Sequence, residues 1–261
     1  MKRNNVITVS RMTVAVALWF SVTFVGGKLL APLLEGVLPE MASIILRTMV
    51  LPYTLGLMLF CMAVIGMKKT PVTGRSEGKV SAGTIVKFFL IQTGLSFPCM
   101  VAGNIACKIL GADIGGMSAE QLFGRLGFYI VLLLIFNPIF EELLFRKFVL
   151  ERLTCLGTAG SVICSAVLFA IPHVFSQGFP QMLYTFALGL VWGYVTIRTG
   201  KLLPAIILHS LSNLYCAFIP SLLSLIHPMA QVPFVMLTMA VMVPMAIVLI
   251  SRERTNMKSL P

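Results

Sequence analysis

Charge is scarce in this chain. Only 11% of its 261 residues are charged, where a soluble globular domain carries about 25%. Acidic residues are the scarcer sign, 9 against 20 lysines and arginines, and there are 3 histidines. No C-x-x-C pair occurs. The cysteines, Cys61, Cys99, Cys107, Cys155, Cys164 and Cys216, lie in or beside apolar stretches, where cysteine behaves as a small hydrophobe. That argues against a disulfide framework and against a cysteine metal cluster. The first apolar run lacks a small-residue cleavage site, so it reads as a transmembrane helix and not as a signal peptide. No repeat of fixed period is present, and the apolar runs are continuous where a membrane barrel would alternate.

Hydrophobic residues make up 58% of the chain and the mean hydropathy is +0.96. These values predict an all-α, polytopic membrane protein: one membrane domain over residues 1–261, built as a single bundle. A helix needs about 20 apolar residues to cross a bilayer. On that measure the sequence divides into eight transmembrane helices, near 12–33, 43–66, 84–107, 126–145, 158–176, 180–198, 202–219 and 230–250. Two loops are substantial. One runs from Lys68 to Thr84 and holds Arg75 and Lys79. The other runs from Gly111 to Gly124 and holds Asp113 and Glu120. In the second, Ser118-Ala119-Glu120-Gln121 fits a helix cap.

The net charge of +11 does not call for a nucleic acid. The basic residues flank apolar segments, as the positive-inside bias and anionic lipid require. With the N-terminus inside, all of the 20 except Lys28, Arg47, Lys108 and Arg125 fall on the cytoplasmic side. Both termini are therefore expected in the cytoplasm, and a bacterial plasma membrane is the expected location.

Against this background a few polar residues stand out, because ionisable groups on apolar segments are costly and mark function by default. Glu141 and Glu142 end a charge-free run from Phe128 to Phe140, and Arg146 follows. Glu142 and Arg146 are four apart and face one another, with the acid first, the better order. Glu141 is rotated about 100° away. An interfacial ion pair would account for Glu142 and Arg146 alone, but it leaves Glu141 unexplained. Asn137-Pro138 just before them predicts a kink or an unwound turn. His173 follows Pro172 on a later run, and His209 precedes Asn213 at a spacing that puts both on one face. Each of these alone fits polar glue between helices. Three separate spans each carrying such a residue fit it poorly. His227, before Pro228, reads as a solvated loop residue.

Taken in order, Glu-Glu-x-x-x-Arg at 141–146, Phe-x-x-x-His at 169–173 and His-x-x-x-Asn at 209–213 resemble the CPBP family of intramembrane proteases. That family groups the CAAX prenyl endopeptidases with bacterial Abi-type proteins linked to bacteriocin processing and immunity. The stretch from Phe186 to Leu202 is also similar to the family's pattern, and the resemblance covers about 128–218. It implies an endopeptidase core there with Glu141, His173, His209 and Asn213 in the active centre, completed by Glu142 and Arg146. The first 120 residues carry no such motif.

The residues also suit hydrolysis on chemical grounds. Cutting a peptide needs a nucleophilic water, a base and donors for the developing oxyanion. Glu141 is the expected base and His173 would hold the water. His209 and Asn213 would donate to the oxyanion. Ser210 and Ser212 point to other faces than His209 and are not expected as nucleophiles. No cofactor is certain. Glu141, His173 and His209 also make a ligand set of the catalytic zinc type, so a divalent metal is an alternative to a metal-free mechanism.

The expected partners are the bilayer and a peptide or protein substrate, lipidated or a secreted precursor. A non-catalytic immunity or scaffold protein is the alternative reading. A small transporter using these residues as a proton relay ranks below both, since transporters often show repeated halves.

Overall fold

The computed structural model describes residues 3–34, 36–72, 80–112 and 116–258. Lys2, Arg75, Lys79 and Asp113 lie outside the described residues. The architecture is all-helical. The long helices are α1 (3–34), α2 (40–63), α3 (82–110), α5 (126–153), α6 (157–177), α7 (179–199), α8 (203–226) and α9 (231–258), with a short α4 (119–124) before α5. Six stretches among the described residues are long and apolar enough to cross a membrane: Asn4–Leu30, Glu40–Ala63, Ala82–Leu110, Leu126–Gln177, Leu203–Ile226 and Pro228–Glu253. The protein is thus a multi-pass membrane protein. The helix α7 is not among the six. Its polar and small residues Thr185, Gly189, Gly193 and Thr196 are buried inside the protein, so lipid does not set its composition.

Two compact units divide the chain, residues 1–69 and 70–261. In the first, α1 buries Met12, Ala15, Val16 and Trp19, which recur at helical spacing on one face. Arg11 donates to the carbonyls of Ala63 and Ile65 at 2.9 Å, satisfying acceptors that the end of α2 leaves open.

The second unit is held by α7, which packs on both α6 and α3, and by α9, which packs on α3. At one end Glu253 of α9 accepts from Lys87 of α3 at 2.8 Å and from Tyr194 of α7 at 2.8 Å, and pairs with Arg198 of α7. Further along, Gly94 sits directly against α9. A Cβ there would meet the Met242 carbonyl oxygen and lie 2.5 Å from Ala246 Cβ. Neither neighbour is a flexible side-chain end that can swing aside. Gly94→Ala is therefore expected to destabilise the protein by about 1–3 kcal/mol, the cost of overpacking a tight contact. Thermal unfolding in detergent checks it, and an unchanged midpoint would refute the close approach.

Local chemistry explains the boundaries. The cap predicted at Ser118 is present as a full capping box. The Ser118 hydroxyl accepts from Gln121 N–H at 3.2 Å, and the Gln121 side chain accepts from Ser118 N–H at 3.0 Å. The turn between α5 and α6 reverses at Gly157, whose φ of 74° is open to glycine and costly for other residues. The loop before α3 is tied to α5 through Glu151, whose carboxylate accepts from Val72 N–H at 2.9 Å and whose carbonyl accepts from Thr70 N–H at 2.9 Å.

Candidate active site

Proline shapes the helix that carries the two glutamates. The sequence predicts a kink or an unwound turn at Asn137-Pro138, and the helix continues through the proline, widened by π-type turns at Val131–Phe136 and Leu143–Val149. In the first of these the Asn137 N–H reaches back to the Leu132 carbonyl, and Pro138 has no N–H to give. Two carbonyls in this turn, those of Leu133 and Leu134, are instead met from the neighbouring helix. Asn213 of α8 donates to Leu133 O at 2.7 Å, and Ser210 donates to Leu134 O at 2.8 Å. A buried backbone carbonyl must find a partner. The proline therefore makes the place where α8 docks on α5, about two turns before the glutamates. Such π-type turns recur at functional sites.

That docking brings His209 to the glutamates. Glu142 is fully buried and Arg146 equally so, with Arg146 Nε donating to Glu142 Oε2 at 2.8 Å. The other end of the guanidinium donates to Ser165 of α6 at 3.1 Å, and Ser165 in turn donates to the Phe145 carbonyl at 3.0 Å. The second Glu142 oxygen, Oε1, lies 3.1 Å from His209 Nδ1. A carboxylate paired with arginine has no hydrogen to give, so Nδ1 carries the proton and donates. His209 Nε2 then faces Glu141, whose Oε2 is 3.9 Å away, beyond direct hydrogen-bond reach. Glu141 keeps 14% of its side-chain surface accessible, against 0% for Glu142. The pair is divided as its spacing predicts: one carboxylate is locked in the core and one is left open. The contact from Glu142 to His209 is additional to anything the spacing shows.

His173 reaches the same neighbourhood from α6. Its Nδ1 lies 3.0 Å from the Phe169 carbonyl, which only accepts, so here too Nδ1 carries the proton and Nε2 keeps its lone pair. The Phe169 ring stands edge-on to both imidazoles, 5.0 Å from His173 and 6.2 Å from His209 by ring centres. The three spans singled out in the sequence thus converge around Phe169, Glu142 and His209.

Asn213 has a different neighbour from the one expected of an oxyanion donor. One of its N–H groups is given to Leu133 O, and its second N–H and its carbonyl are the groups left over. Ser210 and Ser212 are occupied elsewhere, Ser210 on Leu134 and Ile206 carbonyls and Ser212 with the Tyr184 hydroxyl at 2.6 Å. His227 is exposed, and its Nδ1 accepts from Met229 N–H at 3.1 Å as a local cap. Among the described residues no three His, Cys, Asp or Glu side chains are arranged to hold a metal ion. As placed, Glu141, His173 and His209 do not make the three-ligand site that zinc requires.

Sequence reasoning assigned no role to Trp192. Its indole lies flat against His209, with ring centres 4.3 Å apart and planes 20° from parallel. It also lies beneath the Arg146 guanidinium at 5.8 Å, while Phe169 lies 5.0 Å from the same group. A buried tryptophan in an apolar helix is ordinarily core, and no spacing rule connects it to a histidine 17 residues on.

Residues 124–215 match the family of Rce1-like type II CAAX prenyl endopeptidases, and Glu141, Glu142, Arg146, His173, His209 and Asn213 all fall inside the match. No curated protein and no solved structure matches the chain.

Proposed function

We propose, from the Rce1-like CAAX prenyl endopeptidase family to which residues 124–215 belong, that this membrane protein is an intramembrane endopeptidase that hydrolyses a peptide bond with an activated water. The observation that carries the reading is the division of labour at the paired acids. Glu142 is spent on Arg146 and on orienting His209, while Glu141 stays open beside His209 Nε2. A purely structural ion pair has no use for the second acid.

The chemistry starts from the protons already placed. His173 Nε2 accepts a hydrogen bond from the water, and Glu141 takes a proton from it as the oxygen attacks the scissile carbonyl carbon. The negative charge that develops on the carbonyl oxygen is met by His209, which needs a proton at Nε2 besides the one at Nδ1 to donate there, and by the free N–H of Asn213. The C–N bond then breaks, and the leaving amine takes the proton from Glu141.

Eight crossings suit this reading. A 52-residue stretch, Leu126–Gln177, would be about 78 Å long as one helix, more than twice the roughly 30 Å hydrocarbon thickness. Its reversal at Gly157 splits it in two, and α7 supplies the eighth. With both termini in the cytoplasm, the glutamates lie near the cytoplasmic end of α5. The substrate is then a membrane-associated peptide or protein presented from that side, in a bacterial plasma membrane.

The test is a comparison of membrane and secreted peptides from cells lacking the gene with cells carrying wild-type or His209→Ala protein. A precursor should accumulate in the deletion and be processed again only by wild-type. Processing restored equally by His209→Ala would leave the non-catalytic immunity or scaffold reading in its place. The purified protein is expected to keep full activity after exhaustive chelation. Loss on chelation and recovery with zinc would establish the metal alternative instead.

A further inference from the structure

Helix α3 lies outside the family match and carries no recognisable motif, yet it sends one polar side chain into the site. Gln92 is fully buried, as are its neighbours Thr93 and Ser96. Both ends of its amide are engaged. Its Oε1 accepts from Trp192 Nε1–H at 2.6 Å, and its Nε2 donates to the Leu208 carbonyl at 3.0 Å. An indole only donates and a carbonyl only accepts, so this orientation of the amide is the one that satisfies both. Trp192 is the residue stacked on His209, and Leu208 is the residue before His209 in the chain.

We propose that Gln92 is a positioning residue for His209, acting through the Trp192 ring and the backbone of α8. The inference rests on the endopeptidase reading for its kinetic part and stands on geometry for the rest. Glu142 fixes one edge of the imidazole at Nδ1, but one hydrogen bond leaves the ring free to pivot about it. The flat contact with Trp192 removes that freedom. Trp192 can do this only if its own rotation is stopped, and the hydrogen bond from its N–H to Gln92 stops it. The second hydrogen bond holds α8 at the turn from which His209 projects. The direction of Nε2 toward Glu141 is thus set by three helices: α5 through Glu142, α7 through Trp192 and α3 through Gln92. Displacements of about 1 Å at such groups cost roughly a hundredfold in rate. An amide buried for packing alone would have no reason to bridge these two partners.

Two measurements test it, one of them independent of any substrate. The chain has 2 tryptophans, so Trp19→Phe leaves Trp192 as the only tryptophan, and its emission can be excited selectively over that of the tyrosines. In that background, removing the imidazole by His209→Ala is expected to change Trp192 emission at least about twofold, because a stacked imidazole quenches indole. With Gln92→Met also present, which keeps length and loses both hydrogen bonds, the same removal should change emission little. In the cleavage assay Gln92→Met should lower kcat about tenfold and leave KM within twofold, and Trp192→Phe should do the same without adding to Gln92→Met.

Gln92→Asn, too short to bridge, is the second variant should Gln92→Met not fold. An emission response to His209→Ala that is unchanged by either Gln92 variant overturns the proposal, as does an unchanged kcat. If emission responds as expected while wild-type protein cleaves nothing, it is the endopeptidase reading that fails and the positioning contact that survives.

Discussion

Glu141→Gln is expected to lower the cleavage rate by about 10²–10⁴-fold, the contribution of a positioned general base, while leaving the protein as stable as wild-type. The two halves of that expectation come from the same geometry. Glu141 retains accessible surface, and His209 Nε2 stands off at 3.9 Å. A neutral amide of the same shape therefore breaks no hydrogen bond between them. It removes only the capacity to take a proton from water. Glu141→Asp keeps that capacity and draws the carboxylate back by one methylene, so it should fall between the two. Initial rates on a processed peptide, read beside thermal unfolding of each variant, check both halves. Wild-type cleavage by the glutamine variant would end the assignment of Glu141 as base. A large loss of stability would mean that it is a structural acid.

What could be read in the sequence, and what could not, divides along a physical line. That the chain crosses a membrane several times was legible because lipid imposes a length and a composition on helices that cross it, whereas α7, buried among the other helices, carries less of that mark. The Glu142–Arg146 pair was legible because helical geometry alone sets its spacing, and the openness of Glu141 followed from the same 100° step. The convergence of His173 and His209 with these acids was suggested by the order of motifs but could not be measured from it. The links from Glu142 to His209, from Asn213 to Leu133 and from Gln92 to Trp192 join residues 67, 80 and 100 positions apart. No local rule reaches across that distance. Pro138 shows the same limit from the other side. Its missing donor was foreseen as a defect in α5, and the structure uses that defect as the place where α8 hydrogen-bonds to α5.

Breaking the buried pair should produce the largest change in stability. Arg146 and Glu142 are both fully enclosed. Arg146→Met strands the Glu142 charge in a medium that cannot solvate it, and removing one partner of such a pair costs about 3–5 kcal/mol. Arg146→Met is accordingly expected to be nearly absent from the membrane fraction, and Glu142→Leu likewise. Replacing both together removes the uncompensated charge, and well-packed apolar replacements of a buried pair are often neutral. The double variant Glu142→Leu, Arg146→Met should therefore recover much of the wild-type abundance and melting temperature. It should not recover activity. His209 Nδ1 loses the carboxylate that fixes its tautomer and direction, and loss of that orienting acid is felt as about a hundredfold or more in rate. Abundance by immunoblot, thermal unfolding and cleavage on the three variants separate the roles. A double variant that is folded and fully active would show that Glu142 serves the fold alone and that His209 needs no help from it. A double variant as scarce as the single ones would show that the pair, and not its charge balance, holds α5 against α6.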